Sequence, residues 1–168
     1  KKGEAIGQLD ISTAFLQSDL FSPDEPARYL MLPDPVTGTK RYFRQLGVVY
    51  GSASSSKRLQ DTLHNWLVLP ENEGGGGYTA GKNDPCLFVQ ERLGVSLATY
   101  VDDIGLRGQR PDAEEAFRAI QARFKCKTVH WLTKQSALDH LGMTFFQDDH
   151  GTYLSMANYI EAMIVRLG

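Results

Sequence analysis

The sequence predicts an α+β domain: an antiparallel sheet with helices packed on one of its faces. Three observations predict it. Two segments, 52–69 and 111–124, carry apolar residues at helical spacing. Short apolar or alternating runs of strand length lie before, between and after them. Turn-forming residues around Gly94 and at Asp148-Asp149-His150-Gly151 join successive strands as hairpins.

The elements follow in order. Ala5 to Ile11 reads as a strand, with Gln8 and Asp10 on one side and Leu9 and Ile11 on the other. Ser12 is placed to cap a short helix running through Leu20. Arg28 to Leu32 is a short apolar strand closed by Pro33, and Asp34-Pro35-Val36-Thr37-Gly38 is turn chemistry. Arg41 to Leu46 reads as the returning strand. In the helix from Ser52 to Leu69, Leu59, Leu63, Trp66 and Leu67 share one face, and Pro70 ends it. Gly74 to Gly77 reads as a flexible surface loop within the same domain. Cys86 to Glu91 and Val95 to Val101 make a hairpin, and Ile104 to Leu106 a further strand. Pro111 opens the second helix, with Ala113, Ala116, Phe117, Ile120 and Phe124 as its apolar stripe. Leu138 to Phe146 and Thr152 to Leu154 read as strands. Ser155 is placed to cap a last helix whose inner face is Ile160, Met163, Ile164 and Leu167.

The 168 residues suffice for one domain with a real core, and 42% hydrophobic with 23% charged residues is ordinary globular composition. A net charge of −2 argues against a strongly basic nucleic-acid-binding module. Cys86 and Cys126 form no metal spacing and read as two buried thiols in a reducing, intracellular compartment. No apolar run approaches the roughly 20 residues that span a bilayer, so no membrane partner is expected. The start lacks a signal peptide and an initiator Met, which suggests a piece of a longer chain.

Two places carry chemistry. Asp10 ends an apolar strand, which taken alone is an ordinary cap or surface position. Asp102-Asp103 follow the run Leu97-Ala98-Thr99-Tyr100-Val101, too apolar for a solvated edge. Acids at the end of a buried strand need compensation, and a divalent cation supplies it. If the strand of Asp10 lies beside this hairpin, two or three carboxylates converge, as hard cations such as Mg²⁺ require.

These residues sit in a series of motifs. Gln8-Leu9-Asp10-Ile11-Ser12-Thr13-Ala14-Phe15-Leu16 resembles the first catalytic motif of copia-type reverse transcriptases, and Tyr100-Val101-Asp102-Asp103 resembles their Y-V-D-D box. Val49-Tyr50-Gly51, Asp84-Pro85-Cys86-Leu87-Phe88, Leu141-Gly142-Met143, Tyr153-Leu154-Ser155 and Tyr159-Ile160 resemble further segments of that family, in its order. Each piece is weak and the ordered set is strong. The resemblance spans nearly the whole chain.

The resemblance implies a polymerase palm, with a ferredoxin-like or RRM-like core, over residues 1–168. Most of the fingers, the thumb and the ribonuclease H domain would lie outside it. It implies RNA-directed DNA synthesis on an RNA or DNA template with primer, using deoxynucleotides, Mg²⁺ or Mn²⁺, and the remainder of a Pol polyprotein. Asp10 and Asp102 would hold both metals, Asp103 would complete or orient the site, and the Ile11 carbonyl would be a further ligand. Phe15, five residues after Asp10, would lie beneath the incoming sugar and exclude a 2′-hydroxyl. Ala14, Tyr50 and Gly51 would complete the nucleotide site, and Leu141-Gly142-Met143 the primer grip. Lys127 lies near the family's general-acid lysine, with Lys125 and Lys134 competing, and a solvated lysine is the plainer reading of each.

Departures are as informative. Ser52-Ala53-Ser54-Ser55-Ser56-Lys57-Arg58-Leu59 replaces the family's L-K-Q-A-P-R-x-W, Thr128-Val129 replaces D-L, and His140 replaces an aromatic. They suggest a divergent lineage or a decaying copy, and so a non-catalytic remnant as the alternative. A nucleotidyl cyclase would share the paired acids but not the downstream motifs. An RNA-binding sheet module would need aromatic and basic residues where the carboxylates stand.

Overall fold

The structure is a computed structural model and describes residues 3–167. It is a mixed α/β architecture of antiparallel sheets and, among the described residues, three α-helices. The main sheet has six strands: β1 (Glu4–Asp10), β4 (Thr79–Ala80), β5 (Leu87–Gln90), β6 (Val95–Tyr100), β7 (Asp103–Gln109) and β8 (His130–Trp131). Their order across the sheet is β4-β5-β6-β7-β1-β8. β2 (Arg28–Pro33) and β3 (Lys40–Gln45) form a separate hairpin, and β9 (Leu138–His140), β10 (Met143–Gln147) and β11 (Thr152–Ser155) a small third sheet. The single sheet expected from the sequence is therefore three.

Alternation in β1 sends Leu9 and Ile11 into the core, where they meet Ile104 and Leu106 of β7 and Leu97 of β6. Helix α1 (Ser55–Val68) buries Leu59, Leu63, Trp66 and Leu67 against that face, as its 3.6-residue pattern requires. Helix α2 (Arg110–Arg123) adds Ala113, Ala116, Phe117 and Ile120. Pro111 sits in its first turn with Asp112, and Arg123 in its last, matching the helix dipole at both ends. Trp66 meets Phe124 edge-on at 5.7 Å between ring centroids, joining the two helices.

Several local expectations need correction. The helix after β1 is a 3-10 turn, Ala14–Gln17, and Ser12 does not cap it; its cap is Thr13, in the left-handed region. The glycine run 74–77 is no flexible loop. Gly76 and Gly77 donate backbone hydrogen bonds to Trp66 and Leu69, and Trp66 Nε1 donates to the Gly74 carbonyl. A Cβ on Gly75 would lie 2.1 Å from the Leu69 carbonyl oxygen, so glycine is needed there for close approach. The run expected as one strand, Leu138 to Phe146, is two, β9 and β10, folded at Leu141-Gly142. Both turn residues have positive φ, 54° and 76°. That is the two-residue hairpin geometry in which Asn-Gly is favoured.

Ser155 Oγ does accept the Ala157 N–H at the start of α3 (Ala157–Leu167). Ile160, Met163, Ile164 and Leu167, expected to face inward, are all exposed. The β2–β3 strands are likewise exposed along most of their length. Cys86 and Cys126 are free and half-buried rather than fully buried. Among the described residues no helix is long and apolar enough to cross a membrane.

Candidate functional site

The site is built where β1 ends beside the β6–β7 hairpin. Asp10 and Asp103 are direct partners across β1 and β7. Residues paired in this way share a sheet face, with Cβ atoms about 5 Å apart. Leu9 and Ile104, the pair before them, point into the core, so the two acids point out of the opposite face, away from α1 and α2. Gln8 stands on the acids' face, opposite Gly105.

Asp102 lies in the two-residue turn between Tyr100 and Asp103, themselves a pair. The other turn residue, Val101, has φ 57°. A β-branched residue in that region is strained, at roughly 1–2 kcal/mol, and persists because its surroundings hold it. Here the hold is visible: the Asp102 carbonyl accepts the Ile11 N–H at 2.8 Å, and the Val101 side chain packs on the core. The acidic turn is thus fastened to the end of the acidic strand.

The segment after α2 closes the other side. Ile11 bridges Cys126, the Lys127 N–H donates to the Asp10 carbonyl at 2.9 Å, and the Ser12 N–H donates to the Lys125 carbonyl. The Lys127 ammonium lies 3.1 Å from Asp10 Oδ2. It is both solvated and paired, with 62% of its side chain exposed. Lys134 instead pairs with Asp149. Burial, with a smaller push from the Asp10 carboxylate, moves the Cys126 thiol up to about 11, so it stays protonated.

The carboxylates have unequal surroundings. Gln8 Nε2 donates to both oxygens of Asp103 at 2.9 Å and to the Asp139 carbonyl at 3.0 Å. His140 Nδ1 lies 2.8 Å from Asp103 Oδ2. An ionised carboxylate only accepts, so Nδ1 carries the hydrogen of that bond. Among the described residues Asp102 has no side-chain hydrogen bond or ion pair, and the Ile11 carbonyl accepts no protein hydrogen bond.

The Asp102 carboxylate, the Lys127-paired Asp10 carboxylate and the Ile11 carbonyl are hard oxygen donors of the kind Mg²⁺ takes. Among the described residues no three His, Cys, Asp or Glu side chains are disposed around one ion. Magnesium commonly uses one or two carboxylates and completes its shell with water and substrate phosphate, and Asp10 and Asp102 are donors of that chemical type.

The remaining expected residues fall in two groups. Phe15, in the 3-10 turn after β1, packs against Tyr50 with ring centroids 5.0 Å apart. Phe15 is half-buried, Tyr50 exposed, and Ala14 is a core residue at 3% exposure. Gly51 has φ 87° with open space above it. Leu141, Gly142 and Met143 form and follow the β9–β10 turn, next to His140. An apolar cavity of about 410 Å³ separates the main sheet from this small one, lined by Gln8, Gly105, Leu138, His140 and Phe145 among others.

Sequence reasoning missed Gln8 and His140 as members of the site. Gln8 had one usable signal, its place two residues before Asp10 on the same face. His140 stood out only as a departure from the resembled family's aromatic, since its contact with Asp103 depends on β9 docking across the sheet. No protein-family model matches the chain, and no curated protein matches it.

Proposed function

We propose that this chain is the palm of an RNA-directed DNA polymerase of the copia retrotransposon type. The observation that carries the reading is the pairing of Asp10 with Asp103 on the open face of a sheet whose other face is closed by α1 and α2, with Asp102 in the adjoining β6–β7 turn. The strand order β8-β1-β7-β6, with α1 after β1 and α2 after β7, supports a palm with a ferredoxin-like core. The motif series supports the family.

In this reading Asp10 and Asp102 hold divalent Mg²⁺, with the Ile11 carbonyl as a further donor. Ions bound there lower the pKa of an attacking hydroxyl and neutralise charge on a departing pyrophosphate. The chain's own residues do the positioning. The bond from Ile11 N–H to the Asp102 carbonyl fixes the turn acid relative to the strand acid. The Phe15 ring, five residues after Asp10 and packed against Tyr50, is the flat group suited to excluding a 2′-hydroxyl. Gly51 leaves room for a base pair to approach the backbone. The substrates are deoxynucleotides on a primed RNA or DNA template, and further Pol segments are the natural partners.

A second reading, a palm fold retained without catalysis, is favoured by one observation: protein groups already compensate two of the three acids. Calorimetric titration with Mn²⁺ separates the two. The catalytic reading expects binding that Asp102→Ala abolishes. No binding, or binding indifferent to Asp102→Ala, favours the remnant.

A further inference from the structure

Adjacent acids in a metal site are usually taken as interchangeable members of one cluster. Here their surroundings divide them. Among the described residues the Asp103 side chain meets two partners, Gln8 Nε2 at both oxygens and His140 Nδ1 at one. Gln8 and Asp103 belong to the main sheet, and His140 to the small sheet. Gln8 also donates to the Asp139 carbonyl, so two contacts, this one and His140 to Asp103, span the same gap. The side chains of His140 and Asp103 are only 15% and 22% exposed. Beside these contacts lies the apolar cavity, lined by residues of both sheets. The β9–β10 turn, Leu141-Gly142, begins at the residue that makes the contact.

We infer that Asp103 is a positioning residue: with Gln8 and His140 it forms a bracket that sets the β9–β10 turn against the strand end carrying Asp10 and Asp102. Asp102 and Asp10 are left as the cation ligands. The division has a simple physical basis. A half-buried carboxylate with both oxygens satisfied by two donor groups gains little from an ion and would lose those bonds to reach it. The Asp102 side chain, one residue away in the turn, makes no hydrogen bond or ion pair among the described residues. The cation half of this inference rests on the polymerase reading; the bracket half does not.

The test has two readouts on the full chain. In amide hydrogen exchange, Asp103→Asn and His140→Ala are each expected to speed exchange across β9 and β10 about tenfold, with β6 and α2 unchanged. His140→Asn, whose side-chain amide can donate from near the Nδ1 position, is expected to restore most of that protection. Combining Asp103→Asn with His140→Ala is expected to add little to either alone. In Mn²⁺ titration, Asp103→Asn is expected to keep affinity within about threefold, whereas Asp102→Ala loses it. Unchanged exchange in both single variants, or failure of His140→Asn to rescue, overturns the bracket. Loss of Mn²⁺ binding in Asp103→Asn equal to that in Asp102→Ala overturns the division of roles. If the unmutated chain binds no Mn²⁺, the polymerase reading and the division of roles fall together, while the exchange result still decides the bracket.

Discussion

At the scale of single residues, charge compensation is the theme. Lys127 is held beside Asp10 by its own backbone bond to the Asp10 carbonyl, so its ammonium is a tethered cation on one of the two proposed cation ligands. An exposed pair of this kind is weak and gives way to a divalent ion at small cost. Lys127→Met is expected to tighten Mn²⁺ binding by about two- to fivefold, and Lys125→Met, which removes the same charge without the contact, by less. Equal effects in calorimetry would leave only the general field. A second residue titrates. His64, half-buried, sits 3.0 Å from Thr99 Oγ1, and burial holds its imidazole below the usual 6.5. The unfolded chain therefore takes up that proton first as pH falls. The stability contributed by the neutral ring is present above 6.5 and is lost as pH drops through the folded value. Denaturant melts at about pH 7.5 and about pH 5 are expected to show a smaller difference in His64→Gln than in the parent chain. The acids were legible from sequence because residue type and strand-end position name them. The bracket was not, because Gln8 and His140 reach Asp103 across 95 and 37 residues of chain.

At the scale of elements, local rules were legible where one periodicity ruled. Leu59, Leu63, Trp66 and Leu67 in α1, and Ala113 to Ile120 in α2, gave both helices and their buried faces. They were not legible where a glycine has two physical uses. Gly74 to Gly77 has the composition of a flexible loop, yet Gly75 is there because the chain passes against Leu69. The β9–β10 turn was hidden for the opposite reason. Leu141 occupies a left-handed position that favours Asn or Gly, so the sequence carries no turn signal and runs on as one apolar strand. The mismatch makes a prediction. Leu141→Asn creates the favoured Asn-Gly pair at an exposed position and is expected to raise stability by about 1 kcal/mol in urea melts. A loss of stability would mean that the Leu141 side chain does more there than its exposure suggests.

At the scale of the whole molecule, one core is complete and two annexes are not. The main sheet with α1 and α2 buries its apolar residues in a single cluster. The β2–β3 hairpin and α3 expose theirs, including Tyr42 at 70% and Ile164 at 64%. Amphipathic pattern was legible in α3, but whether a face is covered depends on neighbours that the pattern does not name. Asp10 and Asp103 stand at one end of the complete part, on its open face, with Asp102 in the adjoining turn, where a folded scaffold holds them without the annexes. The central claim is that this end gathers a divalent cation from residues far apart in sequence. Paramagnetic broadening by Mn²⁺ in the amide NMR spectrum tests it most directly. Signals from Asp10 to Ser12, Val101 to Asp103 and Lys127 are expected to broaden first and together, with α3 and the β2–β3 hairpin left sharp. Broadening spread over surface carboxylates such as Asp61 and Glu114, with no preference for those three segments, would contradict the account.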